Sequence, residues 1–483
     1  MRRTVLALLV AAAAAFGHPG PALAELAAAG PAARAPSPAQ KELDRFAAWV
    51  EKQKGELSAL VVDVETRRVV AEKNPALSLN PASNAKVATA AALLARLGPD
   101  YRFQSGLYGV KKDAGVERLV LRSNGDPSLS SRDLARWVKE LADAGVKRVG
   151  EILVDQSAFD ARFVPPAFEQ QPAEWASFRA PVSAVPLDRN AFVVRVAPGE
   201  LGEAAKVSVE PAGFVEVEGK IVTEKKGKGR RLSVEMRPNG TTLAIRLSGH
   251  IAVDAKPTAF AKRVDDPRLY AGHVLRALLK RRGVVVEGSV GEGGKGETAA
   301  LHEKKSEPLS ALLREVGKNS DNFYAEMLLK ALGAETSQRP GASADGAAQV
   351  HDWLKSAGAA DAGTRISNGS GLFDANRLSA ASLVSALIAA GRDPKTGTVF
   401  VDQLAVGAVD GTLRNRFRTK RLSNKVRGKT GTLARANSLS GFVLGDDGKP
   451  RLAFAFVVNG IAGKADEQRR AFDRVVERAA LGK

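Results

Sequence analysis

The chain has 483 residues, 44% hydrophobic and 26% charged, enough to bury a large core and to build more than one domain. Its 72 Lys and Arg exceed its 53 Asp and Glu by 19, spread over pairs such as Lys225-Lys226 and Arg469-Arg470. With 5% aromatics and no zinc-finger spacing, no nucleic-acid partner is expected, only a basic surface drawn electrostatically to membrane or cell wall.

Residues 1–24 carry the pattern of an export signal: Arg2 and Arg3, an apolar run from Thr4 to Phe16, then small residues at Ala22-Leu23-Ala24. The run is shorter than the ~20 residues that span a bilayer. Signal cleavage is therefore expected, with no later transmembrane segment and a site of action in the periplasm. The absence of cysteine removes disulfides, thiolate zinc sites, a cysteine nucleophile and a lipoprotein anchor.

An Ala/Pro-rich lead-in covers residues 25–40, and helical spacing follows over Lys41–Lys54. Leu57–Asp63 and Arg68–Ala71 bracket a polar turn and read as a hairpin. Asn80-Pro81 opens a helix that ends at Gly98. From Tyr101 to about Gly294 the texture changes to strand-like pieces around one good helix, Arg132–Ala144. Between Lys206 and Ile251 it becomes short, charged, alternating β. Helices return over Pro308–Val316 and Asn322–Leu332, then near Gly346–Ala357 and Ser379–Ala390. A final hairpin, Ser438–Leu444 and Arg451–Val458, precedes a terminal helix over Asp466–Leu481. The two ends of the chain share one style, which predicts one α/β domain interrupted by an insertion.

Three motifs carry chemistry. Ser83-Asn84-Ala85-Lys86 is the one S-x-x-K of the chain; a lysine three residues on faces the serine along a helix. It can serve as base if burial and a second cation lower its pKa. The histidines beyond the export-like segment, His250, His273, His302 and His351, are scattered, and neither H-E-x-x-H nor G-x-S-x-G occurs, so no metal and no cofactor are expected. Ser320-Asp321-Asn322 opens a helix, where it could cap the helix or act as a proton relay (Ser320) and an amide facing the substrate (Asn322). K-T-G occurs twice. Lys395-Thr396-Gly397 reads as a turn after Asp393-Pro394. Lys429-Thr430-Gly431-Thr432 precedes the last hairpin and can lie on a sheet edge that pairs with an extended peptide. Lys429 would supply positive charge for a substrate carboxylate and either depress the Lys86 pKa or assist Ser320.

S-x-x-K, S-D-N and K-T-G in this order form the signature of penicillin-binding proteins and β-lactamases. The chain resembles the class C low-molecular-mass penicillin-binding proteins, the D-alanyl-D-alanine carboxypeptidase/endopeptidase family. Pro81-Ala82-Ser83-Asn84, Asn124-Gly125-Asp126-Pro127, Asn368-Gly369-Ser370-Gly371-Leu372, Asp410-Gly411-Thr412-Leu413 and Ser438-Leu439-Ser440-Gly441-Phe442-Val443 extend the likeness. The resemblance implies a serine β-lactamase/D,D-peptidase-like transpeptidase domain, an antiparallel sheet flanked by helices with a helical subdomain, over 25–100 and 296–483. It implies two nested β-rich insertions: domain II over 101–203 and 254–295, and a small domain III over 204–253.

It further implies peptidoglycan stem peptides as substrates and β-lactams as inhibitors. Ser83, Lys86, Ser320, Asn322 and Lys429 would be the catalytic set, with Thr430, Gly431 and Thr432 binding substrate. Asp374 departs from the family, where a basic residue is common, and leaves side-chain preference open. A β-lactamase and a non-catalytic cell-wall binding protein of the same fold are the alternatives.

Overall fold

The computed structural model describes residues 36–337 and 339–482; the export-like segment 1–24 lies outside them. Helix α1 (Pro38–Lys52) starts earlier than its apolar spacing suggested. Ser37 caps it, accepting from the Gln40 amide at 3.0 Å, and Pro38 stands at its first turn. The hairpin β1 (Glu56–Asp63) and β2 (Val69–Lys73) follows, then helix α2 (Ala85–Leu97). After the insertion come helices α3 (Asn322–Ser337) and α4 (Ala380–Arg392), strands β3 (Ala405–Val406), β4 (Val426–Leu433), β5 (Ala436–Leu444) and β6 (Pro450–Asn459), and helix α5 (Ala465–Leu481).

The strands form one antiparallel sheet in the order β3-β4-β5-β6-β1-β2, so the first strand of the chain pairs with its last. Helices α1 and α5 cover one face; Phe472 lies edge-on to Phe46 at 5.5 Å and stacked on Phe456 at 5.2 Å. On the other face α2, α3 and α4 share a second core with Ala453, Ala455 and Val457 of β6. Covering on both faces explains the run Leu452–Val458, in which apolar residues follow one another without alternation.

The insertion builds three further sheets. Val285–Val286, Arg148–Asp155, Gly115–Ser123, Gln104–Tyr108 and Ala300–Lys305 lie side by side in the largest, under a core of their own. Ala300–Lys305, expected in the returning domain, pairs instead with Gln104–Tyr108. Likewise Lys206–Glu210 pairs with Ala191–Ala197, which in turn pairs with Thr258–Arg263. The remaining sheet joins Val215–Gly219, Val222–Glu224, Arg230–Asn239 and Thr242–Ala252. No helix among the described residues is long and apolar enough to cross a membrane.

Candidate active site

Ser83 lies in a 3-10 turn (Ala82–Asn84) that runs directly into α2, rather than in the α-helix itself. The turn is held from three sides. Asn80 and Asn459 exchange hydrogen bonds at 2.8 and 3.0 Å, tying the turn to the end of β6. Asn84 is fully buried; its amide donates to Ser438 Oγ at 2.6 Å and its carbonyl oxygen accepts from Ser440 Oγ, both on β5. Ser438 Oγ in turn donates to the Pro81 carbonyl at 2.6 Å. Gly371 closes the third side: a Cβ there would stand 1.8 Å from the Ala82 carbonyl oxygen. Ala82 itself has φ +47°, a conformation that costs an L-residue energy and persists because its surroundings dictate it.

Lys86 is buried in the first turn of α2. Its ammonium donates to Ser83 Oγ at 3.1 Å, to Asn322 Oδ1 at 2.7 Å and to the Ser370 carbonyl at 2.7 Å. Burial lowers its pKa to about 7, against the opposing pull of Glu326 and Asp321. Glu326 is fully buried one helical turn beyond Asn322, accepts from the Ser370 and Gly369 amides at 2.8 and 3.2 Å, and has its pKa raised by burial. It fixes the loop whose carbonyl holds Lys86. Its sequence signal is the polar stripe Asn322, Glu326, Lys330, spaced by four along an otherwise apolar buried helix.

The S-D-N segment caps α3: the Tyr324 amide donates to Asp321 Oδ1 at 3.0 Å. Ser320 has φ +58°, and its hydroxyl accepts from Lys429 Nζ at 2.8 Å. Lys429 Nζ also donates to the Thr430 carbonyl at 2.7 Å. Its pKa is held well below the lysine range by burial and by repulsion from Lys86. Burial, one of the two expected causes, is the main one lowering the Lys86 pKa, and Lys429 also takes up the other expected role, its ammonium lying on Ser320.

The K-T-G strand β4 is second from the sheet edge rather than at it. The two-residue β3 covers Arg427 and Gly428 and leaves the outer edge from Lys429 to Leu433 without a partner strand among the described residues. Gly431 lets this edge touch the serine turn: a Cβ there would stand 2.9 Å from the Ser83 nitrogen and 2.3 Å from Ser438 Oγ. The other K-T-G is remote in role: Asp393 Oδ1 accepts from the Lys395 and Thr396 amides at 2.9 and 2.8 Å in an exposed turn.

Ser83, Ser320, Asn322, Thr430 and Thr432 open together on a cavity of about 1340 Å³. Of the sequence-predicted set, Lys86, Lys429 and Gly431 stand directly behind it. Among the described residues, no histidine lines it. One wall is Asn80, Phe373, Asp374 and Arg377, where Arg377 bonds Asp374 at 2.5 Å and holds its carboxyl below the usual range.

Sequence reasoning missed the insertion's share. The Phe178 carbonyl accepts from Asn322 Nδ2 at 3.0 Å. Arg189 pairs with Asp321 at 2.9 Å and Glu315 at 3.2 Å, with its guanidinium 5.0 Å from the Tyr324 ring centre. It sits in Asp188-Arg189-Asn190, three consecutive residues at positive φ.

Residues 39–480 match the model of the D-Ala-D-Ala carboxypeptidase 3 (S13) family. The chain is similar to the D-alanyl-D-alanine carboxypeptidase of Actinomadura sp. (strain R39), 34% identical over 84% of this chain and 78% of that protein. Among solved structures, penicillin binding protein 4 (dacB) from Haemophilus influenzae superposes with TM-score 0.76 at 24% identity, over 89% of this chain and 98% of that one. The same protein complexed with a β-lactam gives 0.70 at 23%, over 90% and 97%.

Proposed function

Because the chain belongs to the D-Ala-D-Ala carboxypeptidase 3 (S13) family, we propose that its cavity hydrolyses D-Ala-D-Ala-ended peptidoglycan stems through an acyl-enzyme on Ser83. The observation that carries this reading is the contact of a buried, weakly basic Lys86 with both Ser83 and Asn322.

Neutral Lys86 takes the proton of Ser83 Oγ as that oxygen attacks the carbonyl of the penultimate D-Ala. The negative charge that forms on the carbonyl oxygen is met by the backbone N–H groups of Ser83 and Thr432, which Gly431 allows to approach; one such donor is worth ~10²–10³ in rate. Asn322 orients both Lys86 and the substrate backbone. Ser320 hands its proton to the departing amine and regains one through Lys429, which lies on its hydroxyl; the proton that Lys86 took from Ser83 replaces the one this relay gives up, so Lys86 is neutral again. The C–N bond breaks, and D-Ala leaves. Water then attacks the ester, with Lys86 as base again, releasing the shortened stem. Lys429, Thr430 and Thr432 hold the terminal carboxylate.

Where the leaving amine belongs to a neighbouring stem, the same steps constitute an endopeptidase. β-Lactams acylate Ser83 by ring opening, in line with the β-lactam complex of the Haemophilus influenzae relative. The substrate places the enzyme outside the cytoplasmic membrane, in the periplasm, where its basic surface would keep it near the cell wall. Segment 101–203, which brings Gln171 and Phe178 to the cleft, serves as a second wall rather than as a catalyst; 254–295 completes that domain and 204–253 is nested within it.

Digestion of purified monomeric and cross-linked muropeptides, with products read by mass, tests the reading. Loss of one alanine from pentapeptide monomers, or cleavage of the cross-link, is expected. Unchanged monomers and cross-links would overturn it.

A further inference from the structure

The wall of the cavity beyond the K-T-G strand belongs to the terminal helix, which the mechanism does not use. Three arginines, Arg416, Arg469 and Arg470, line it with two aspartates, Asp466 and Asp473. Arg469 is held on both sides: Nη1 donates to Asp466 at 2.8 Å and Nη2 to Thr432 Oγ1 at 3.2 Å. Its side chain remains 39% exposed, so its other N–H groups can reach a ligand.

Behind it, Arg416 is 13% exposed and clamps Asp473, one turn further along α5, at 2.5 Å; it also reaches the Arg469 carbonyl at 3.5 Å. This pair fixes the turn of α5 from which Arg469 projects. The bond to Thr432 has a second effect. A hydroxyl that accepts from a guanidinium points its own proton elsewhere, and Thr432 faces the open cleft beside Thr430, two residues back on the same face of β4. An anion set there would meet two hydroxyls and a guanidinium. The flank is the leaving-group side, because Lys429, which serves Ser320, also bonds the Thr430 carbonyl.

We infer that Arg469 is a specificity-determining residue that selects substrates carrying a free carboxylate on the residue expelled from the acyl-enzyme. This rests on the reading of the site given above. Stems ending in D-alanine qualify, as do cross-links whose acceptor residue keeps its carboxylate next to the scissile amide; an amidated acceptor loses the guanidinium contact. Arg416 and Asp473 are positioning residues for it.

Two N-acyl-D-alanyl thioesters test this, one expelling thioglycolate and the other its carboxamide; the reactive acyl bond keeps both rates measurable. The ratio of kcat/KM for acid over amide is independent of the fraction of active enzyme, so partial misfolding of a variant does not distort it. Arg469→Gln is expected to lower the ratio about tenfold, the weight of one charge-assisted hydrogen bond, and Arg469→Lys to keep most of it. An unchanged ratio in Arg469→Gln, whether both rates fall together or neither moves, would overturn the inference. A wild-type protein that cleaves neither thioester and forms no penicillin adduct would sink the underlying reading instead.

Discussion

Strand β5 and the inserted strand Val215–Gly219 are both regular β-structure, yet all nine residues of the first are buried and none of the second is. The first lies between two layers of helices and holds the serine turn through Ser438 and Ser440. The second sits in the outer insertion and touches nothing in the cleft. Catalytic geometry is thus placed where packing fixes every neighbour, while the insertion reaches the site through a few grips, Phe178 and Arg189 among them. Sensitivity to substitution should fall along the same path, from sheet to grip to outer strand.

The largest effect is expected where β4 meets the serine turn. Gly431→Ala forces the strand off Ser83, and displacement of this kind costs about a hundredfold in penicillin acylation rate. A rate within twofold of wild type would mean the contact is slack. Next comes acidification. Lys86 accepts a proton only when neutral, and burial holds its pKa at about 7. Acylation should therefore fall about tenfold per pH unit below ~7 and level off above it; a flat profile would remove Lys86 as base.

The grip comes third. Arg189→Gln frees Asp321 and is expected to slow acylation about tenfold, with Arg189→Lys recovering part of it and thermal stability little changed. Equal losses in Gln and Lys variants, tracking a fall in Tm, would make Arg189 merely structural. Smallest of all, Val217→Lys on the exposed outer strand (45% exposed) should leave acylation unchanged and stability within about 0.5 kcal/mol; a loss of activity there would join the outer sheet to the site.

The same contrast explains what could be read in advance. Ser83 and Lys86 lie within one helical turn, so their contact is local and legible. Lys86 and Asn322 are 236 positions apart, and only the order of the three motifs pointed to their meeting. Glu326 shares a spacing of four with Asn322, but the same spacing marks a solvated helix face, so only burial distinguishes it. Arg189 and Phe178 left no signal, because they project from irregular segments whose course depends on tertiary packing. For the same reason Ala300–Lys305 gave no hint that it joins the insertion's sheet: pairing partners of an isolated strand are set by distant residues.

Catalysis at this site turns on one covalent bond, between Ser83 Oγ and an acyl group, made possible by an amine rather than an imidazole. Peptide mapping by mass spectrometry after incubation with benzylpenicillin reads that bond directly. A single penicilloyl adduct is expected on the peptide containing Ser83, absent from Ser83→Ala. An adduct that persists in that variant, or one that maps to Ser320, would contradict it.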